Sequence, residues 1–225
     1  MTTISAKTFE FLHQLQLNND RVWFQENKSL YLAAKEEVEN FSEAIIVEFR
    51  KLNPQVSPEL TGKKSVMRIY RDVRFSKNKS PYKSNFGISI STSPKGIHGP
   101  GYFIQLQPNQ SFIAGGMWMP DAPNLKLIRQ EIDYNGNQLL DILEAKNFKS
   151  FFSDGLQQTD KLKTSPKNYD ADHPNIELLK LKSFTVSSSF TDKQLQTEGV
   201  VNKIVNGLQE IMPLNNFLQE AITNQ

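Results

Sequence analysis

Apolar residues recur at helical spacing through the first quarter of the chain. Phe9, Leu12 and Leu15 share one side of a short helix over residues 6–16. Asn18-Asn19-Asp20 then supplies side-chain oxygens able to cap the free N–H groups of a second helix. That helix is predicted to run unbroken over roughly 21–51. Trp23/Phe24, Asn27, Leu30/Tyr31, Ala34, Val38, Phe41, Ile45, Phe49 and Leu52 form its buried stripe. Asn27 is the polar member, either an amide satisfied by nearby backbone or a side chain pointing into a site. Asn53-Pro54 ends the helix.

The period then changes. Val66 to Arg71 alternates, as do Phe86/Ile88/Ile90 and Tyr102/Ile104/Leu106, and Phe112 to Trp118 makes a fourth extended segment. Pro108-Asn109-Gln110 is a tight link, so the last two segments are predicted to pair as an antiparallel hairpin. SPKGIHGPG, between the second and third, reads as a loop. Gly115-Gly116 inside a strand marks a bulge or a place where something comes close to the backbone. Helical spacing returns after Pro120-Asp121-Ala122-Pro123, with Leu125, Ile128 and Ile132. It is interrupted at Gly136 and resumes at Leu139, Leu140 and Leu143. Pro174 suits the first turn of a helix holding Leu178, Leu179 and Leu181. Phe184, Val186, Ser188 and Phe190 alternate as one more strand. A last helix or helix pair covers about 197–223, with Pro213 as a kink or break. The expectation is one α+β domain over residues 1–225, with an antiparallel sheet of four or five strands. A long N-terminal helix and C-terminal helices cover the sheet mainly on one face.

Composition narrows the function more than the fold. The chain has 225 residues, no cysteine and a net charge of +2. Disulfides, thiolate metal sites and a cysteine nucleophile are therefore excluded. No signal peptide or membrane-length apolar run is present, which points to a soluble cytoplasmic protein without a membrane partner. The phosphate-loop, dinucleotide-binding and nucleophile-elbow motifs are missing. His13, His98 and His173 are far apart, and no metal-ligand spacing occurs.

Charge is concentrated in one place. The segment KKSVMRIYRDVRFSKNKSPYK, residues 63–83, holds eight cations and one acid, a charge of +7 that leaves −5 on the remainder. Arg68, Arg71, Arg74, Lys77, Lys79 and Lys83 gather guanidinium and ammonium donors suited to phosphate or carboxylate groups, and Tyr82 would orient such a ligand. A second candidate is His173, fixed before Pro174 with Asp170 and Asp172 nearby. His173 with Asp172 would move a proton near neutral pH, or the turn would merely cap the following helix. The third is the entrance of the long helix, Arg21, Trp23, Asn27, Lys28 and Tyr31.

NNDRVWFQENKSLY, RIYRDVRFSKNKSPYKSNFG, GYFIQLQPNQSFIAGGMWMP and LKTSPKNYDADHPNIELLKLKSF together resemble the bacterial and fungal family labelled domain of unknown function 2461. The likeness covers nearly the whole chain in the same order. Asn78 stands where members often have Asp, Asn168 where Gly is usual, and Val22 where an acid is common. The resemblance implies a single α+β domain and no established activity. It marks the basic segment, Gly115-Gly116, the helix entrance with Asn27, and Asp172-His173-Pro174 as the family's signature, and these four are expected to converge on one pocket. Three functions fit, in this order. The first is binding, or turnover, of an anionic phosphorylated small ligand. The second is nucleic-acid binding by the same basic and aromatic surface, and the third is docking of acidic protein segments. No cofactor and no oligomeric state is specified.

Overall fold

Asp20 caps the helix that follows it: its carboxylate accepts from the N–H groups of Val22 and Trp23. That helix does not continue as expected. After α1 (Ala6–Leu17), α2 spans only Arg21–Glu26 and α3 runs from Lys28 to Leu52. Asn27 leaves helical geometry between them (φ −103°, ψ 20°). Its backbone N–H and side-chain amide both donate to the Trp23 carbonyl, while its own carbonyl accepts from Leu30 and Tyr31. One asparagine thus closes one helix and opens the next. The apolar stripe survives the break: Phe24, Tyr31, Ala34, Val38, Phe41, Ile45, Ile46 and Phe49 are buried, whereas Leu30 and Leu52 are exposed. Each buried Phe or Ile contributes about 1.5–3 kcal/mol by leaving water.

The remaining elements are α4 (Gly62–Ser65), β1 (Phe86–Ser91), β2 (Gly101–Leu106), β3 (Ser111–Met117), α5 (Ala122–Glu144), α6 (Lys146–Phe151), α7 (Ile176–Leu179), β4 (Phe184–Phe190), α8 (Asp192–Leu195) and α9 (Val200–Thr223). This computed structural model describes residues 2–92 and 98–223, so the first part of the SPKGIHGPG loop lies outside the described residues. The architecture is α+β, with one four-stranded antiparallel sheet in the order β1-β2-β3-β4. The hairpin turns at Gln107, whose carbonyl accepts from Gln110 N–H, with Asn109 in the left-handed region. Pro213 sits inside α9 without ending it.

Val66–Arg71 does not become a fifth strand. It makes two isolated bridges, Val66 to Ile88 and Tyr70 to Tyr82. Four residues of chain on one side face six on the other, and Pro81 has no N–H to give, so the ladder cannot run on. The segment is extended and stitched by three bonds: Met67 N–H to Gly87, Arg71 N–H to Pro81 and Lys83 N–H to Ile69.

The chain divides into two units. The first holds the residues up to Ile90 with Phe103–Ile113 and Ser189–Asn206. The second holds Ser91–Tyr102, Ala114–Ser188 and the chain from Gly207 onward. In the first unit α4 rests directly on α3. A β-carbon at Gly62 would stand 2.0 Å from the Glu39 carbonyl oxygen. Gly62 N–H donates to the Glu43 carboxylate, and the Ser42 and Ser65 hydroxyls pair at 2.7 Å. These contacts anchor the start of the basic segment. In the second unit α5 leaves helical geometry at Asn135 (φ −123°, ψ 26°), so two helical stretches meet at a kink one residue before Gly136, where the interruption was expected. Gly136 is buried at the kink, where the Asn175 amide packs against it and donates to the Ile132 carbonyl.

Candidate functional site

The basic segment and the helix entrance meet within the first unit. The link is Asn19: its side-chain amide donates to the Tyr82 carbonyl at 3.0 Å, and its side-chain oxygen accepts from Tyr82 N–H at 3.1 Å. The amide imitates a strand residue and holds the backbone at Tyr82. The Tyr82 ring then stacks on Phe24, centroids 3.9 Å apart and 15° from parallel. Nothing in the apolar pattern pointed to Asn19. The one signal was surplus: three consecutive Asx residues precede a helix that needs one cap.

The cations separate into those that build the loop and those that are available. The Arg71 guanidinium donates to the Ser80 carbonyl at 3.0 Å and the Ser76 hydroxyl at 3.4 Å. The Lys79 ammonium donates to the Val73 and Arg74 carbonyls. Asn78 accepts from Ser80 N–H, the bond an Asp would make there. Arg71 and Lys79 thus direct part of their donor set to holding the loop in one shape. Arg74 grips Asp72 with two nitrogens, at 3.0 and 2.7 Å. That hydrogen bond holds the Asp72 carboxyl below its usual range and raises the Arg74 guanidinium.

Arg68, Lys77 and Lys83 make no side-chain hydrogen bond or ion pair among the described residues. Lys83 is half-buried, and burial first, then the neighbouring positive charge of Arg68, lowers its ammonium below the ordinary range. Lys83 donates its backbone N–H to Ile69, the residue after Arg68, and Arg68 lies within electrostatic reach both of Lys83 and of Asp72, whose carboxylate Arg74 holds. At the tip Phe75 is 95% exposed, and the Arg74 guanidinium lies 5.8 Å from its ring centre.

Phe24 is the centre of the aromatic cluster under the loop. Besides Tyr82 it contacts Tyr31 at 5.0 Å and Tyr70 at 6.1 Å, and Tyr70 lies 5.4 Å from Tyr82. Burial, followed by the neighbouring Tyr70, raises the hydroxyls of both Tyr31 and Tyr82. Asn27, one turn from Trp23, has its side-chain amide on the Trp23 carbonyl.

The Gly pair and the His173 turn belong to the second unit. A β-carbon at Gly115 would meet Ile211 at 2.4 Å. At Gly116 (φ +114°) it would lie 1.9 Å from the Phe184 carbonyl oxygen. The close approach expected at this pair is made by the protein's own interior. His173 is held at both nitrogens: Nδ1 accepts from Asn175 N–H at 3.0 Å, and Nε2 lies 2.9 Å from the Asp133 carboxylate. That network corresponds to a ring protonated on Nε2. Its carboxylate partner comes from α5 rather than from Asp170 or Asp172, and Asp172 is exposed. The Tyr169 and His173 rings meet nearly perpendicular with centroids 6.1 Å apart, and burial raises the Tyr169 hydroxyl, with Asp133 adding to the rise. Arg129, its guanidinium lowered by burial, donates to the Leu179 and Leu181 carbonyls. Asn168 adopts the left-handed conformation usual for glycine (φ 73°), as an Asn can. Among the described residues, no three His, Asp or Glu side chains gather to hold a metal ion, and no helix is long and apolar enough to cross a membrane.

A family model described as "Conserved hypothetical protein (DUF2461)" matches residues 7–217. The chain belongs to that family. The match takes in both units, including the basic loop, the Asn19 clamp and the His173 turn. No curated protein and no solved structure matches this chain.

Proposed function

We propose that this member of the family binds an anionic, phosphate-bearing small ligand at the Arg68–Lys83 pair. The observation that carries the reading is that pair itself. Like charges within electrostatic reach of each other, one of them half-buried, are held at a cost that an oxyanion bound by both would remove. Arg71 and Lys79 support the reading indirectly. By tying the loop to its own carbonyls they pre-organise it, so that less ordering is left for the binding step.

The experiment is a thermal-shift series with pyrophosphate, ribose 5-phosphate and citrate at low and moderate salt. The phosphate ligands should raise the melting temperature. Arg68→Ala and Lys83→Ala should each abolish the rise, and Lys63→Ala, a solvated control on α4, should leave it intact. A rise that survives both loop substitutions, or no rise with any phosphate ligand, refutes the proposal.

The exposure of Phe75 favours a second reading, single-stranded nucleic acid. An exposed ring flanked by Arg74 and Lys77 suits a base stacked over a tracked backbone. In that case a short oligonucleotide would bind more tightly than ribose 5-phosphate and lose affinity steeply with salt. Phe75→Ala would weaken it without affecting the small ligand.

A further inference from the structure

Three tyrosines surround Phe24, and their hydroxyls are open to solvent rather than committed to a protein partner among the described residues. Tyr31, Tyr70 and Tyr82 all contact the Phe24 ring. None of the three hydroxyls makes a hydrogen bond among the described residues. The Tyr31 and Tyr82 oxygens are not among the buried unpaired polar atoms, so water reaches them, and a ligand group can replace that water. The rings differ in accessibility: Tyr82 is 6% exposed and Tyr70 is 50% exposed. Tyr70 therefore presents an aromatic surface to solvent, backed by Phe24 and Tyr82 so that it cannot fold away.

This aromatic group adjoins the cation pair. Arg68 and Tyr70 are both exposed on either side of the buried Ile69. Tyr70 bridges to Tyr82, and Lys83 is the next residue. Arg21, at the start of α2, lies close enough to act electrostatically on the Tyr82 hydroxyl. Asp20 and Glu39, the nearby acids, are already engaged, Asp20 by the N–H groups it caps and Glu39 by Lys35.

We infer that the ligand is a nucleotide, its planar base stacking on Tyr70 within reach of the Tyr31 and Tyr82 hydroxyls while its phosphate sits on Arg68 and Lys83. The inference rests on the anion-binding reading above and adds the aromatic half of the ligand. Stacking on Tyr70 gives affinity for any base. The unpaired hydroxyls give preference among bases, because each phenol can donate to a ring nitrogen or carbonyl and accept from an exocyclic amine.

Calorimetric titration of the full chain with the four ribonucleoside monophosphates, and with ribose 5-phosphate as the same ligand lacking its base, tests this. At least one mononucleotide should bind about tenfold more tightly than ribose 5-phosphate. Tyr70→Ala should remove that advantage and leave ribose 5-phosphate binding unchanged. Tyr31→Phe and Tyr82→Phe, which keep the rings and hence the fold, should level the differences among the four bases. If ribose 5-phosphate binds as well as every mononucleotide, or Tyr70→Ala keeps the advantage, the nucleotide inference falls while the anion site stands. If neither kind of ligand binds, both fall together.

Discussion

Replacing Asn19 by Asp is a nearly isosteric change that tests the link between the helix entrance and the basic loop. The amide now donates to the Tyr82 carbonyl at 3.0 Å and accepts from Tyr82 N–H at 3.1 Å. A carboxylate keeps the second bond and reverses the first, placing an anionic oxygen where a donor stood. The lost hydrogen bond costs about 1 kcal/mol, and an unsatisfied carbonyl facing a like dipole adds about 1–3 kcal/mol. A total of about 2–4 kcal/mol is expected at neutral pH, lowering the melting temperature by about 4–16 °C for a chain of this size. Protonation turns the introduced carboxyl back into a donor, so its folded-state pKa must lie above its unfolded value. The variant's deficit should therefore be largest above that folded pKa and should shrink as the pH falls through it. Urea denaturation of both proteins between pH 7 and pH 4 reads this directly. A deficit below about 0.5 kcal/mol at pH 7, or one that grows on acidification, would refute the role assigned to Asn19.

The other expectations concern the second unit. Gly116→Ala should destabilise by more than about 3 kcal/mol, because its β-carbon would enter the Phe184 carbonyl at 1.9 Å in a backbone conformation L-residues avoid. Gly155→Ala, also at positive φ but with nothing within 4 Å, should cost only about 1–2 kcal/mol; equal losses in the two denaturation curves would contradict the close approach. Glu177, bonded by Lys161 and Lys180, has its carboxyl lowered to about 2. Because the folded value is depressed, its stabilising effect is present above the ordinary carboxylate range and lost as the pH falls through about 2. Carboxyl-carbon NMR should show that midpoint, and a titration near the ordinary value in the intact protein would show that the lysines do not hold it.

Much of the fold was legible along the chain. The α1 stripe, the hairpin of β2 and β3, the alternation of β4 and the Asp20 cap are set by residues within one or two turns of each other. The break at Asn27 and the failure of Val66–Arg71 to form a strand were not. Asn27 fits the helical stripe, yet its backbone leaves helical geometry while its side-chain amide bonds the Trp23 carbonyl. The alternation of Val66–Arg71 is real, but a strand also needs a partner in register, and the partner carries two extra residues and a proline.

The candidate site divides in the same way. The segment over residues 63–83 stood out as a candidate because charge this dense is conspicuous in a chain that is otherwise slightly acidic. Which cations are available was not readable. Arg71 and Lys79 look identical in sequence to Lys77 and Lys83, yet folding presents carbonyls to the first two and none to the others. Asn19 meets Tyr82 across 63 residues, and His173 meets Asp133 across 40. Periodicity and composition describe what a residue does to its chain neighbours. A donor is satisfied or left free by acceptors that only the tertiary structure brings to it.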